Sequence, residues 1–261
     1  MSDERSIPPG ALSPRPPARE EAPGSPAYNA AVAAAITAVR ERMAAACGRS
    51  GRSVDAVELL AVTKLNPAEA VLAAYAAGIR SFGENRVQEA EAKFGPLAGA
   101  IPGATVHLLG HLQGNKAKKA ATLFDCVQSV DSAAIVVELS RRAGEAGRTI
   151  DLLFELHTGE ESKSGFATLD DLYRAMEVAA SLPAIRIRGL MTMAPYTDDA
   201  GAVRASFRSC AGAFENAKNL FGLPSFDILS MGMTNDLELA IEEGSTMVRI
   251  GTAIFGSRSY P

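Results

Sequence analysis

The chain has 261 residues, 47% of them hydrophobic and 21% charged, which is long enough for one large α/β domain with a substantial core and also admits two small ones. Its formal net charge of −4 gives no electrostatic ground for a nucleic-acid or anionic-membrane partner, so small-molecule chemistry is the default. Three widely spaced cysteines (Cys47, Cys126, Cys210) fit neither a disulfide framework nor a metal cluster, no apolar run reaches the ~20 residues of a membrane span, and no signal-peptide pattern opens the chain; a soluble cytoplasmic protein is expected.

Residues 1–26, "MSDERSIPPGALSPRPPAREEAPGSP", are rich in Pro, Ser and charge and read as a disordered tail ahead of a single domain over 27–261. The alanine-rich stretch from Tyr28 to about Cys47 predicts a helix with Val32, Ile36, Val39 and Met43 on one face, stopped by Gly48 and Gly51. Eight apolar runs follow: 57–62, 79–83, 106–110, 124–130, 151–156, 187–193, 226–231 and 247–251. Helical segments such as "PAEAVLAAYAAG", "VQEAEAKF", "AAIVVELSRRAGEAG" and "DDLYRAMEVAASL" separate them. That alternation predicts parallel strands with crossover helices. Eight strands favour a closed (β/α)₈ TIM-type barrel with an additional N-terminal helix, and an open doubly wound sheet is the alternative.

In a closed barrel the C-terminal rim is the face open to ligand, so the residues that end the runs are compared as a set. Lys64, in "LLAVTKLNP", is the unusual one. A partly desolvated lysine tends toward its neutral, nucleophilic amine, which makes Lys64 a candidate Schiff-base residue for a carbonyl substrate or pyridoxal phosphate. A lysine that snorkels to solvent is the other reading. The last two runs end in "LSMGMTND", with a flexible Gly232, and "VRIGTAIFG", with Gly251 and Thr252 before a short apolar segment. Such turns suit a phosphate, as in barrels that bind one after strands seven and eight, unless they are ordinary glycine-containing loops. A lysine on strand one beside an anion cradle on strands seven and eight suggests a phosphorylated aldehyde.

The segments "AVTKLNP", "FGENRVQEAEAKF", "HLLGHLQGNKAKKA", "SVDS", "GEESKSGF", "IRGLMTMAP" and "LSMGMTNDLELAIEEGSTMVRIGTAIFG" together resemble the YggS/PROSC family of pyridoxal-phosphate homeostasis proteins, itself similar to the N-terminal barrel of alanine racemase. The resemblance runs from about Tyr28 to Gly256. It implies that Lys64 carries pyridoxal 5′-phosphate (PLP) as an internal aldimine. It further implies that Ser230, Gly232, Met233, Thr234, Gly251 and Thr252 hold the phosphate. Arg249 is placed in the cofactor pocket, where by similarity to alanine racemase it faces the pyridine nitrogen, with a phosphate contact or a structural salt bridge as alternatives. Asn85 lines the cofactor face or caps a helix. The chain departs from the family at Thr234 and Asn235, where serine and aspartate are common, at Gly114 in place of a hydroxyl residue, and at His157 in place of an amide.

His107, His111 and His157 show no metal-ligand spacing, "TGEESKSG" lacks the order of a phosphate-binding P-loop, and "NKAKKA" reads as a solvated basic turn. Racemisation needs a base on each cofactor face; alanine racemase takes its second from a tyrosine of the partner chain and carries a further C-terminal β-domain. The chain ends soon after run eight, so no such domain is expected, and Tyr196 is the tyrosine near a strand end. The expectation is a monomeric protein of vitamin B6 homeostasis that carries PLP and delivers it to apo-enzymes. A weak PLP-dependent amino-acid racemase is the alternative.

Overall fold

In a computed structural model describing residues 21–159 and 164–256, the apolar runs form β1 (Glu58–Val62), β2 (Ser81–Glu84), β3 (Thr105–Leu108), β4 (Cys126–Val130), β5 (Ile150–Glu155), β6 (Ile185–Met191), β7 (Ile228–Ser230) and β8 (Met247–Ile250). Each pairs in parallel with the next, and β8 returns to β1 with Leu60 opposite Arg249 and Ala61 opposite Ile250. The sheet is therefore closed, and the open doubly wound alternative falls.

The helices are α1 (Pro26–Arg49), α2 (Ala68–Ala76), α3 (Val87–Phe94), α4 (Ala117–Leu123), α5 (Ala133–Glu145), α6 (Leu169–Ala180), α7 (Ala200–Phe221), α8 (Leu237–Glu242) and α9 (Thr252–Phe255). Helix α1 begins where Ser25 Oγ accepts the Tyr28 N–H at 3.1 Å and Pro26 occupies the first turn, which needs no amide donor. It runs through Gly48 to Arg49, so Gly48 is no stop; Gly51, at φ 67°, lies just beyond the Ser50 cap. Val32, Ile36, Val39 and Met43 are buried on the face that the spacing predicts, and α1 packs on α2, α8 and α9. Of the segment read as a tail, residues 1–20 lie outside the described residues, as do residues 160–163 of "TGEESKSG".

The strand period of two sorts side chains between two cores. Leu59 and Ala61 join the large cluster beneath the helices, whereas Leu60 and Val62 point into the barrel with Met247. Cys126, Leu153 and Met191 fill another part of the interior. Polar groups there are satisfied by one another. Burial pushes His107 down to a pKa of about 4, so its ring is neutral; it accepts at Nδ1 from Gln128 Nε2 (2.9 Å) and faces Thr105 Oγ1 at Nε2 (3.2 Å).

Candidate cofactor site

Continuing the alternation of β1 past its end places Lys64 on the interior side, at the barrel mouth, two residues beyond inward-facing Val62. The same count brings Arg249 inward on β8. Both line a cavity of about 710 Å³ at the C-terminal rim, together with Asn85, Met233, Thr234, Gly251 and Thr252. Seven of the nine site residues expected from the sequence thus face one space.

The other two lie beneath it. Ser230 is buried on the inner face of β7, where its hydroxyl donates to Gln128 Oε1 at 2.7 Å and accepts from Arg249 Nη1 at 2.7 Å. Gly232 has φ 98°, and a Cβ there would lie 2.5 Å from Ala240 Cβ, so glycine lets the β7 loop turn tightly over α8. Both residues shape the cradle without lining the cavity.

Arg249 is held by neutral oxygens: Nη1 donates to Ser230 O (2.7 Å) and Nη2 to Thr192 O (2.8 Å) in addition to the serine hydroxyl. Burial holds its pKa down to about 10, with Asp236 and Glu155 pulling the other way, so the group remains cationic at neutral pH. Among the described residues no carboxylate pairs with it, in contrast to the salt-bridge alternative.

The β7 and β8 loops form one unit. Thr234 Oγ1 accepts the Ala253 N–H of α9 at 3.3 Å, Asp236 Oδ1 accepts the Met233 N–H, and Arg42 of α1 donates to Thr234 O at 2.8 Å while pairing with Glu238 at 2.6 Å. The hydroxyl that replaces the family's serine is therefore in use. Asn235 lines the same cavity. Asn85 is not at the cap position of α3: that position is Arg86, whose side chain makes no capping hydrogen bond. A Cβ on Gly110 would sit 2.3 Å from the Asn85 carbonyl oxygen, so glycine permits that close approach beside the site.

Sequence reasoning left out the apolar lining, in which Val62, Leu109, Met191 and Leu239 border the cavity; in the β6–α7 segment it singled out Tyr196, which lines the cavity with Met193 and Asp198. Inward strand positions signal Val62, Leu109 and Met191, whereas Leu239 comes from α8. His157 lies just past β5, its Nδ1 buried without a hydrogen-bond partner among the described residues, and Gly114 sits in a short turn before α4. A primary amine, a guanidinium, two threonine hydroxyls and apolar walls fit a phosphorylated aromatic aldehyde: each polar part of such a ligand finds a matching group in one cavity.

The family model "Alanine racemase, N-terminal domain" matches residues 35–259. The pyridoxal phosphate homeostasis protein of Escherichia coli (strain K12) is 40% identical over 232 residues, covering 86% of this chain and 96% of that protein. The structure of PipY from Synechococcus elongatus with PLP bound superposes with a TM-score of 0.73 at 41% identity, covering 84% of this chain and all of that one. Alanine racemase from Streptomyces coelicolor shares the fold at 21% identity and a TM-score of 0.65; 85% of this chain corresponds to 59% of it.

Proposed function

The chain belongs to the family of pyridoxal phosphate homeostasis proteins, and from that premise we propose that it binds PLP, holds it covalently through Lys64 and takes part in intracellular vitamin B6 homeostasis by delivering the cofactor to apo-enzymes. The observation that carries this reading is the placement of Lys64 in one cavity with Arg249, Thr234 and Thr252. When bound, PLP supplies an electrophilic aldehyde and a conjugated ring. Lys64 is the residue that would hold the group covalently, offering its Nζ to the aldehyde carbon from the cavity wall. Thr234, Thr252 and the backbone at Gly251, with Met233 beside them, are assigned to the phosphate; Ser230 and Gly232 support that cradle from below. Arg249 is assigned to the ring, Asn85 to its rim.

Delivery suits this site better than turnover. Lys64 can serve one face of the cofactor, but Tyr196, which borders the cavity, is 91% exposed and is not held against it as a second base must be. Cys47, Cys126 and Cys210 are unpaired and buried, which supports a reducing cytoplasmic setting. Borohydride treatment of the PLP-loaded protein followed by peptide mapping tests the assignment: the reduced adduct is expected on Lys64, and an adduct elsewhere or none refutes it. Reactivation of an apo-aminotransferase by loaded protein, and its loss with Lys64→Ala, tests delivery. Racemisation of an amino acid at about 1 s⁻¹ or faster, the low end of ordinary turnover, overturns the carrier reading.

A further inference from the structure

On the outer side of the barrel, directly behind Lys64, lies a buried charged cluster that the site does not touch. Thr63 and Glu84 are fully buried, and Lys93 of α3 is 7% exposed. The Lys93 ammonium donates to Thr63 O (2.7 Å), to Glu84 Oε1 (2.6 Å) and to Glu89 Oε1 (3.2 Å). Thr63 Oγ1 donates to the same Glu84 oxygen at 2.7 Å, and Glu89 Oε1 accepts the Leu65 N–H. One lysine therefore ties down the residue before Lys64 directly and the residue after it through a shared carboxylate.

Packing does not account for this arrangement. Burying a lysine and a carboxylate together is costly even when they are paired; desolvation raises the Glu84 pKa, and Glu84 Oε2 is left without a hydrogen-bond partner among the described residues. The backbone that the cluster holds is itself unusual. Leu65 has φ 59°, a left-handed conformation that favours glycine or asparagine, and its side chain is 56% exposed, so burial of that leucine does not hold the turn. What holds it is the Leu65 N–H on Glu89, the Thr63 contacts, and Asn66, whose N–H and Nδ2 donate to Thr63 O (3.0 Å) and Lys64 O (3.2 Å). The turn follows β1 just past Val62 and fixes where the Lys64 side chain leaves the backbone.

We propose that Lys93, acting with Glu84 and Glu89, is a positioning residue that locks the backbone on both sides of Lys64 and so presents its amine to the carbonyl carbon of a bound aldehyde. The proposal rests on the reading of Lys64 as the covalent attachment point, and its test is built to fail separately from that reading. Two ligands are titrated into the full-length protein: PLP, and pyridoxine 5′-phosphate, which keeps the ring and phosphate but has an alcohol in place of the aldehyde.

Lys93→Met keeps the aliphatic stem and removes the ammonium. Glu89→Leu removes the Leu65 acceptor at a partly buried position that folding tolerates more readily. Glu89→Gln keeps an acceptor. For Lys93→Met and Glu89→Leu, PLP affinity and the yield of borohydride-reduced Lys64 are expected to fall about tenfold or more, the scale of one lost charged hydrogen bond. Affinity for pyridoxine 5′-phosphate stays within about twofold of wild type, and Glu89→Gln stays within about twofold for both ligands. A parallel loss of both ligands in Glu89→Leu, or no loss of either, overturns the proposal, whatever Lys93→Met does to folding. Absence of a Lys64 adduct in the wild-type protein refutes instead the reading of Lys64 itself.

Discussion

Replacing Arg249 by methionine separates the requirements of the site from those of the fold. The guanidinium is buried and bonded to neutral oxygens, and burial lowers its pKa from its ordinary value to about 10. At about 1.4 kcal/mol per pH unit, keeping it charged costs the folded state about 3 kcal/mol. By linkage, a base with a depressed folded pKa carries this cost in full below about pH 10 and loses it only as pH rises toward the ordinary arginine value, so it is constant through the neutral range. Methionine removes that cost and fills much of the volume. Against it stands the loss of donors: Ser230 O keeps the Thr192 N–H at 3.1 Å and Ser230 Oγ keeps Gln128, leaving chiefly Thr192 O short of a partner, at about 1–3 kcal/mol. The opposing quantities nearly cancel. Urea unfolding of the ligand-free protein is expected to place Arg249→Met within about 2 kcal/mol of wild type, while PLP titration shows at least a tenfold loss of affinity, as for one charged hydrogen bond. A destabilisation above about 4 kcal/mol, the scale of breaking a structural buried ion pair, with PLP affinity unchanged, would refute the reasoning and make the arginine a strut.

Pyridoxal without its phosphate is expected to bind at least about a hundredfold more weakly than PLP, since two or more charge-assisted hydrogen bonds to the β7 and β8 loops are lost; equal affinities in a titration would remove Thr234, Gly251 and Thr252 from the phosphate assignment. Gly110→Ala drives a Cβ to 2.3 Å from the Asn85 carbonyl oxygen, so denaturant unfolding should show a loss of about 1–3 kcal/mol together with weaker PLP binding, and a neutral result would mean that the turn yields freely. Burial raises the pKa of Glu155, only partly offset by the Ser164 hydroxyl and Arg249. An acid held more tightly protonated when folded loses stability as pH rises from its unfolded pKa through its folded one. Glu155→Gln, which keeps the acceptor for Ser164, is therefore expected to be more stable than wild type at pH 7 and equal to it near pH 4, as read from paired unfolding curves; a constant difference across that range contradicts the assignment of cause.

The eight strands were legible because each is a short apolar run bounded by amphipathic helices, a pattern set by local burial and therefore written into neighbouring residues. Helix α3 spans Val87–Phe94, the whole of the segment "VQEAEAKF", for that reason. Lys64 was legible for another: an ionisable residue at the end of an apolar strand is chemically out of place wherever the strand lies. Closure was favoured by the count of eight strands but not fixed by it, because pairing of β1 with β8 joins residues almost two hundred positions apart, and the pattern of each strand is the same in an open sheet. The same distance hid the division of labour among site residues. In sequence, Ser230 and Thr234 are equivalent hydroxyls of one glycine-containing turn; only the inward rotation of β7 puts Ser230 under Arg249 and leaves Thr234 at the cavity wall. Lys93 and Glu89 read locally as an ordinary pair one helical turn apart on a solvated helix. The tertiary fold turns that face onto the end of β1, where Lys93 is buried and Glu89 half-buried, and the pair becomes a brace behind Lys64, because long-range packing rather than local sequence sets the dielectric around a charge.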